Sequence, residues 1–152
     1  LLPPSHDADT DLPLVLRRAL FAWLIADGDM HLKNMAVLKI AEPGRGDFSS
    51  VRMAPLYDAV TTRVFPNLQN DHMALKISGK DERLKRADFR RFAATASIPA
   101  AAADTAMDEL AAALSRGVDE LALPDPLTDG SVGAERAAQM REIVRERLAA
   151  FD

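Results

Sequence analysis

The sequence contains no cysteine, which excludes a disulfide scaffold and fits a cytoplasmic protein. It has no run of about 18 apolar residues, so no segment is long enough to cross a bilayer as a helix. The opening LLPPSHDADTD lacks a basic stretch followed by an apolar one and does not read as a secretory signal. There is no Gly/Ser linker and no internal repeat on the scale of about 20–50 residues. Neither G-x-G-x-x-G nor G-x-x-x-x-G-K-[ST] occurs, so no glycine-rich phosphate loop is encoded. Excess positive charge is missing too: 19 Lys and Arg stand against 23 Asp and Glu, a net charge of −4. That balance argues against a general binder of nucleic acid or anionic membrane.

What is present suits one domain. The chain has 152 residues, of which 48% are hydrophobic, and a domain of this length buries roughly 70% of its unfolded surface. Thr10 or Asp11 can cap a helix with Pro13 in its first turn, and Leu16, Leu20, Trp23 and Leu24 give that helix a core-facing stripe ending near Gly28. Asn34 to Ala41 reads as a strand, EPGRGD as a turn, and Phe48 to Ala54 as the return strand of a hairpin. A short strand is expected at Met73 to Ile77. Composition shifts near residue 85 to Ala, Arg and Glu, and helices are expected around 86–97, 99–121 and 131–151. In the last, Ser131 is the candidate N-cap, and Ala137, Met140, Val144, Leu148 and Phe151 form one stripe. The expected fold class is α+β and mainly α, with a small antiparallel hairpin in the first half.

Chemistry concentrates in Asp27 to Asn34, DGDMHLKN, between a buried helix and a strand, where a rigid scaffold presents polar groups. Asp29 and Asn34 stand five positions apart, and beyond the hairpin Pro55-Leu56-Tyr57-Asp58 adds a further acid. Phosphoryl transfer needs such a set: one carboxylate to orient the attacking hydroxyl, and an amide oxygen and a second carboxylate to hold Mg²⁺, a hard cation that takes oxygen ligands. The protein-kinase catalytic loop has the same Asp-x-x-x-x-Asn spacing.

D-x-H-x-K-N, then a hairpin, then P-x-Y-D resembles the catalytic segment of the HipA-type serine/threonine kinases, toxins of bacterial toxin–antitoxin pairs. The resemblance covers residues 29–58 directly and, in the order of elements, the helical segment after it. It implies a C-terminal kinase-like lobe, with a catalytic and metal-binding segment over 1–84 and a helical segment over 85–152. Asp29 would be the catalytic Asp, Asn34 a Mg²⁺ ligand, and Asp58 the metal-binding Asp of the DFG equivalent. His31 and Lys33 would contact phosphate or substrate. The family often carries Asn two residues before the catalytic Asp; this chain has Asp27. The cofactors implied are ATP and Mg²⁺. The partners implied are a protein Ser/Thr substrate, as in family members that target aminoacyl-tRNA synthetases, and a small HipB-like DNA-binding antitoxin.

D-x-H-x-x-N also resembles the phosphoinositide-kinase loop, and G-D-x-x-x-x-N that of aminoglycoside phosphotransferases, which usually have His before the Gly and an I-D-W-type segment later. A small-molecule phosphotransferase and a non-catalytic helical module that docks a partner are therefore the alternatives. Plainer readings exist for single residues. Asp27-Gly28-Asp29 can be an Asx turn ending a helix, His6 and His72 can be solvated, and the PGRGD glycines can serve the hairpin turn. Lys80 to Arg91, with six basic residues and three acids, can be a solvated helix face. Only 28 residues precede Asp29, and no strand-borne Lys–Glu pair can be placed in them, so a C-terminal portion of a longer kinase, lacking the N-terminal lobe, is expected.

Overall fold

The computed structural model describes residues 8–44, 46–121 and 131–152, the side chains of 8–10 and 131 excepted. Helix α1 (Ala8–Leu24) is followed by a 3₁₀ turn (Leu32–Asn34), strands β1 (Val37–Ala41) and β2 (Phe48–Met53), and a second 3₁₀ turn (Thr62–Val64). Helices α2 (Arg86–Thr95), α3 (Ala100–Gly117) and α4 (Ser131–Phe151) complete the order. The α+β, mainly helical expectation therefore holds at the level of elements. His6 and the capping role of Ser131 lie outside the described residues and side chains.

The stripe on α1 does what its spacing requires. Leu16, Leu20 and Leu24 are fully buried and Trp23 nearly so, each worth about 1.5–3 kcal/mol relative to exposure. Ala19 and Ala22, also buried, let α2 and α3 approach the axis. Phe89 and Phe151 meet edge to face at 5.8 Å and close the far side of the same core. The helix starts earlier than expected, at Ala8, with Pro13 inside it. Asp11 caps nothing; its carboxylate accepts the Met53 N–H at 3.1 Å and ties α1 to the hairpin.

Strands β1 and β2 pair antiparallel, with Leu38 opposite Arg52 and Val37 opposite Met53. The first strand begins at Val37 and not at Asn34, because residues 32–34 close a 3₁₀ turn through the Asn34 N–H to the His31 carbonyl at 2.9 Å. No strand forms at Met73 to Ile77. Ile77 makes only an isolated bridge with Lys80, since the Ser78-Gly79 turn, both residues at positive φ, folds the segment back on itself. Its apolar residues are still used: Met73 and Ile77 are core.

The basic stretch is a largely solvated face, as its composition suggests, with all but Arg86 of its six basic residues exposed, and it is also paired. Arg86 pairs with Asp108 and Asp152, Arg90 with Asp104, and Lys80 and Arg91 with Asp88, so its charges stitch α2 to α3 and to the end of α4. Burial pushes the Asp88 carboxyl up, but the Lys80 hydrogen bond, the Lys85 N–H and Arg91 together outweigh it and hold the group below the usual carboxylate range. A carboxyl lowered by folding stabilises above its unfolded pKa, and that contribution fades as pH falls through the folded value. Asp88→Ala should cost about 2 kcal/mol at neutral pH, mainly by orphaning the Lys85 N–H at the start of α2. The difference from wild type should shrink in acid, as urea melts at several pH values would record.

Candidate active site

Helix α1 ends in a Schellman-type closure. The Asp27 N–H reaches the Ala22 carbonyl at 2.9 Å and the Ala26 N–H reaches that of Trp23 at 3.1 Å, with Ala26 at φ 58°. An alanine therefore takes the left-handed position that glycine usually fills, at a cost of about 1–2 kcal/mol. Gly28 serves another need. Its N–H donates to Thr62 Oγ1 at 3.0 Å, its carbonyl accepts from the Ala74 N–H at 3.2 Å, and a Cβ there would lie 1.9 Å from Asp71 Oδ2. Thr62 Oγ1 in turn donates to the Ala26 carbonyl. The loop is thus sewn to the segment after the hairpin.

Asp27 is 2% exposed. Its Oδ1 accepts the Asp29 N–H at 3.0 Å and its Oδ2 the Val60 N–H at 3.4 Å. The Asx turn foreseen from the sequence is present, and it aims Asp29 while bridging to the backbone beside Asp58. The Asp at the position where the family often has Asn performs a loop-holding task. Burial pushes its carboxyl up, against the two backbone donors, with Asp29 and Asp58 adding repulsion. The ionised form is thus penalised in the folded state, and the penalty vanishes as pH falls through the raised pKa. Asp27→Asn keeps an acceptor for Asp29 and removes the charge. Its Nδ2 would face the Val60 N–H, so the charge penalty is exchanged for an orphaned amide. The Tm of the variant relative to wild type should fall as pH is lowered and the wild-type carboxyl is protonated, a comparison that calorimetry makes directly.

Asn34, 3% exposed, donates from Nδ2 to Asp58 Oδ2 at 3.1 Å. The two residues, 24 positions apart in sequence, are brought into contact by the hairpin. Asp58 is exposed and sits at φ 55°, a conformation Asp tolerates better than most residues. Tyr57 Oη donates to the Lys33 carbonyl at 2.6 Å, pinning the Pro55–Asp58 segment to the loop. The carboxylate of Asp29 is solvent-open and lies 3.9 Å from His31 Nε2. The buried Nδ1 of His31 has no partner. The Lys33 side chain is exposed and makes no polar contact with a described residue. Thus Asn34 and Asp58 are brought together and Asp29 and His31 stand on the same loop, while Lys33 contributes a backbone carbonyl. The supporting residues Thr62, Asp71 and Tyr57 carry no local signal in the sequence except Tyr57, which lies within the P-x-Y-D segment.

The donor set suits a hard cation. With Nδ2 committed to Asp58, Asn34 keeps its amide oxygen, and Asp58 keeps Oδ1, neither accepting a hydrogen bond from the described residues. Among the described residues no three His, Cys, Asp or Glu side chains converge as a metal site. A transition-metal site needs about three or four such ligands, whereas Mg²⁺ takes one or two protein oxygens and fills the rest with water and phosphate. Asn34 and Asp58 fit Mg²⁺ on that ground.

The family model of the HipA-like C-terminal domain matches residues 3–118. The chain belongs to the HipA-like C-terminal domain family. No curated protein matches it. No helix among the described residues is long and apolar enough to cross a membrane.

Proposed function

We propose that this chain is the catalytic and metal-binding lobe of an ATP-dependent kinase that phosphorylates Ser or Thr hydroxyls of proteins and acts as a growth-inhibiting toxin. The contact between Asn34 and Asp58 across the hairpin, on a loop that also presents Asp29, is the observation that supports it most. Asp29 accepts a hydrogen bond from the acceptor hydroxyl and takes its proton as transfer proceeds. Its carboxylate is open to solvent, and its backbone is fixed by Asp27, so a hydroxyl can approach a group that is already aimed. Asn34 and Asp58 hold Mg²⁺ through their remaining oxygens. The bound ion supplies charge neutralisation for the ATP phosphates. His31 and Lys33, on the same loop, serve acceptor or phosphate contacts. Residues 1–28 contain neither Lys nor Glu, so the segment before Asp29 does not supply the Lys–Glu pair that positions ATP in kinases. Aminoacyl-tRNA synthetases as substrates and a HipB-like antitoxin as partner follow from the family resemblance alone.

Transfer of radiolabelled γ-phosphate by the full-length gene product in Mg²⁺ buffer tests the reading. Label on protein Ser or Thr, lost in Asp29→Asn with the fold intact, is the expected outcome. Label on an aminocyclitol instead of protein would make the chain a small-molecule phosphotransferase lobe. No transfer from folded protein would leave a partner-docking module.

A further inference from the structure

A groove of about 530 Å³ runs between α1, β2 with the segment following it, and α3. Asp29, Asn34 and Asp58 do not line it. Its walls are apolar, with Phe21 from α1, Leu38 and Leu56 from the hairpin side and Leu110 from α3. Three arginines, Arg17, Arg18 and Arg52, also line it. Arg17 is neutralised by Glu109. Arg18 is only 5% exposed; one nitrogen donates to the Ala54 carbonyl, while Nε and Nη1 have no partner. Arg52 is exposed and makes no ion pair with a described residue. A buried guanidinium with unused donors is costly unless something anionic or carbonyl-rich meets it. The groove therefore presents unmatched positive charge at the base of an apolar trough.

The apolar surface continues beyond the trough. Leu38 and Ile40 lie on one face of β1, and the register puts Arg52 and Ser50 opposite them. Leu38 is 40% and Ile40 38% exposed, on a hairpin that is two-stranded among the described residues. An occupant that satisfies both parts must carry a carboxylate and several apolar side chains spread along a strip. A small amphipathic acid would fill the trough, Leu38 included, and leave Ile40 in water.

We propose that this groove docks a polypeptide segment in which an Asp or Glu sits among Leu, Ile or Phe residues, its carboxylate meeting Arg18 and Arg52 and its apolar side chains covering Leu38 and Ile40. Arginine flanked by apolar pockets is the composition of energetically dominant interface centres. Random dodecapeptides displayed on phage, selected on the 152-residue chain and counter-selected on Leu38→Ser/Arg52→Glu, provide the test. Both substitutions are at exposed positions, and circular dichroism of the double variant establishes that it folds. The expected result is enrichment of sequences with an acid within four positions of two large apolar residues. A synthetic peptide of that sequence should lose tenfold or more in affinity when its Glu is changed to Gln, and again when Arg52→Glu replaces the wild-type chain. No enrichment, equal binding to the double variant, or indifference to Glu→Gln would overturn the proposal. So would laurate binding as tightly as the peptide and displacing it, since a small carboxylate would then be the occupant.

Discussion

On the proposed function, Asp58→Asn in the full-length gene product should lower phosphate transfer by about a thousandfold while leaving the fold in place. Asparagine has the same shape, tolerates the left-handed backbone at φ 55°, and still offers an oxygen to Asn34 Nδ2. What it removes is one negative charge from the pair proposed to hold Mg²⁺. Such a loss corresponds to about 4 kcal/mol of transition-state stabilisation, while the melting temperature should stay within a degree or two of wild type. Raising Mg²⁺ should restore part of the rate if the charge acts through the metal. A variant that keeps full turnover would remove Asp58 from the mechanism. Equal loss at every Mg²⁺ concentration would detach its role from metal binding.

Gly28→Ala should do far more steric damage than a methyl group added at Gly44, Gly46, Gly79 or Gly117, where nothing lies within 4 Å. The added carbon would lie 1.9 Å from Asp71 Oδ2 and 2.7 Å from Thr62 Oγ1. Asp71 can swing away, but Thr62 is held by the Ala26 carbonyl and receives the Gly28 N–H, so relief requires the loop itself to move. Overpacking of this kind costs about 1–3 kcal/mol, which lowers Tm by roughly 2–12 °C at this size. The kinetic effect should exceed the thermal one. Asp29 follows Gly28 directly, and a displacement of about 1 Å at a reacting group can cost a hundredfold in rate. Adding Asp71→Ala removes the closest clash but not the one with Thr62, so the double variant should recover part of the stability and little of the rate. Full recovery of both would show that Thr62 is as free to move as Asp71.

Helix α1 was legible because its periodicity is long and its apolar residues are large: Leu16, Leu20 and Leu24 could face only one way. The hairpin was legible because EPGRGD is dense in turn residues and both flanks are strand-like. The Met73 to Ile77 segment misled because a short apolar run bounded by glycine satisfies a strand and a buried loop equally. Its fate depends on the core that Met73 and Ile77 meet and not on its own residues. In the loop, Asp29, Asn34 and Asp58 were readable as a spaced set, and the contact between the last two followed from the hairpin between them. The Asx turn of Asp27 was readable, but its reach to the far segment and the work of Thr62 were not. Both act through backbone groups on a distant segment, at Val60 for one and Ala26 for the other, and nothing in a linear sequence records which amides come to face which side chains. The same holds for the basic stretch, whose partners Asp104, Asp108 and Asp152 lie on other helices.

Trp23 is the only tryptophan in the chain. It is buried in α1 with the Arg147 guanidinium stacked 3.8 Å from its ring centre, and Arg147 also donates to its carbonyl. Burial, aided by repulsion from Arg63, lowers the pKa of that arginine to about 10, yet it remains cationic at neutral pH. One fluorophore in an apolar, cation-capped setting, four residues ahead of the turn that aims Asp29, gives the chain an intrinsic optical gauge. Its emission colour and intensity register whether α4 is seated on α1, and hence whether the platform beneath the Asp27–Asn34 loop is intact, without any label.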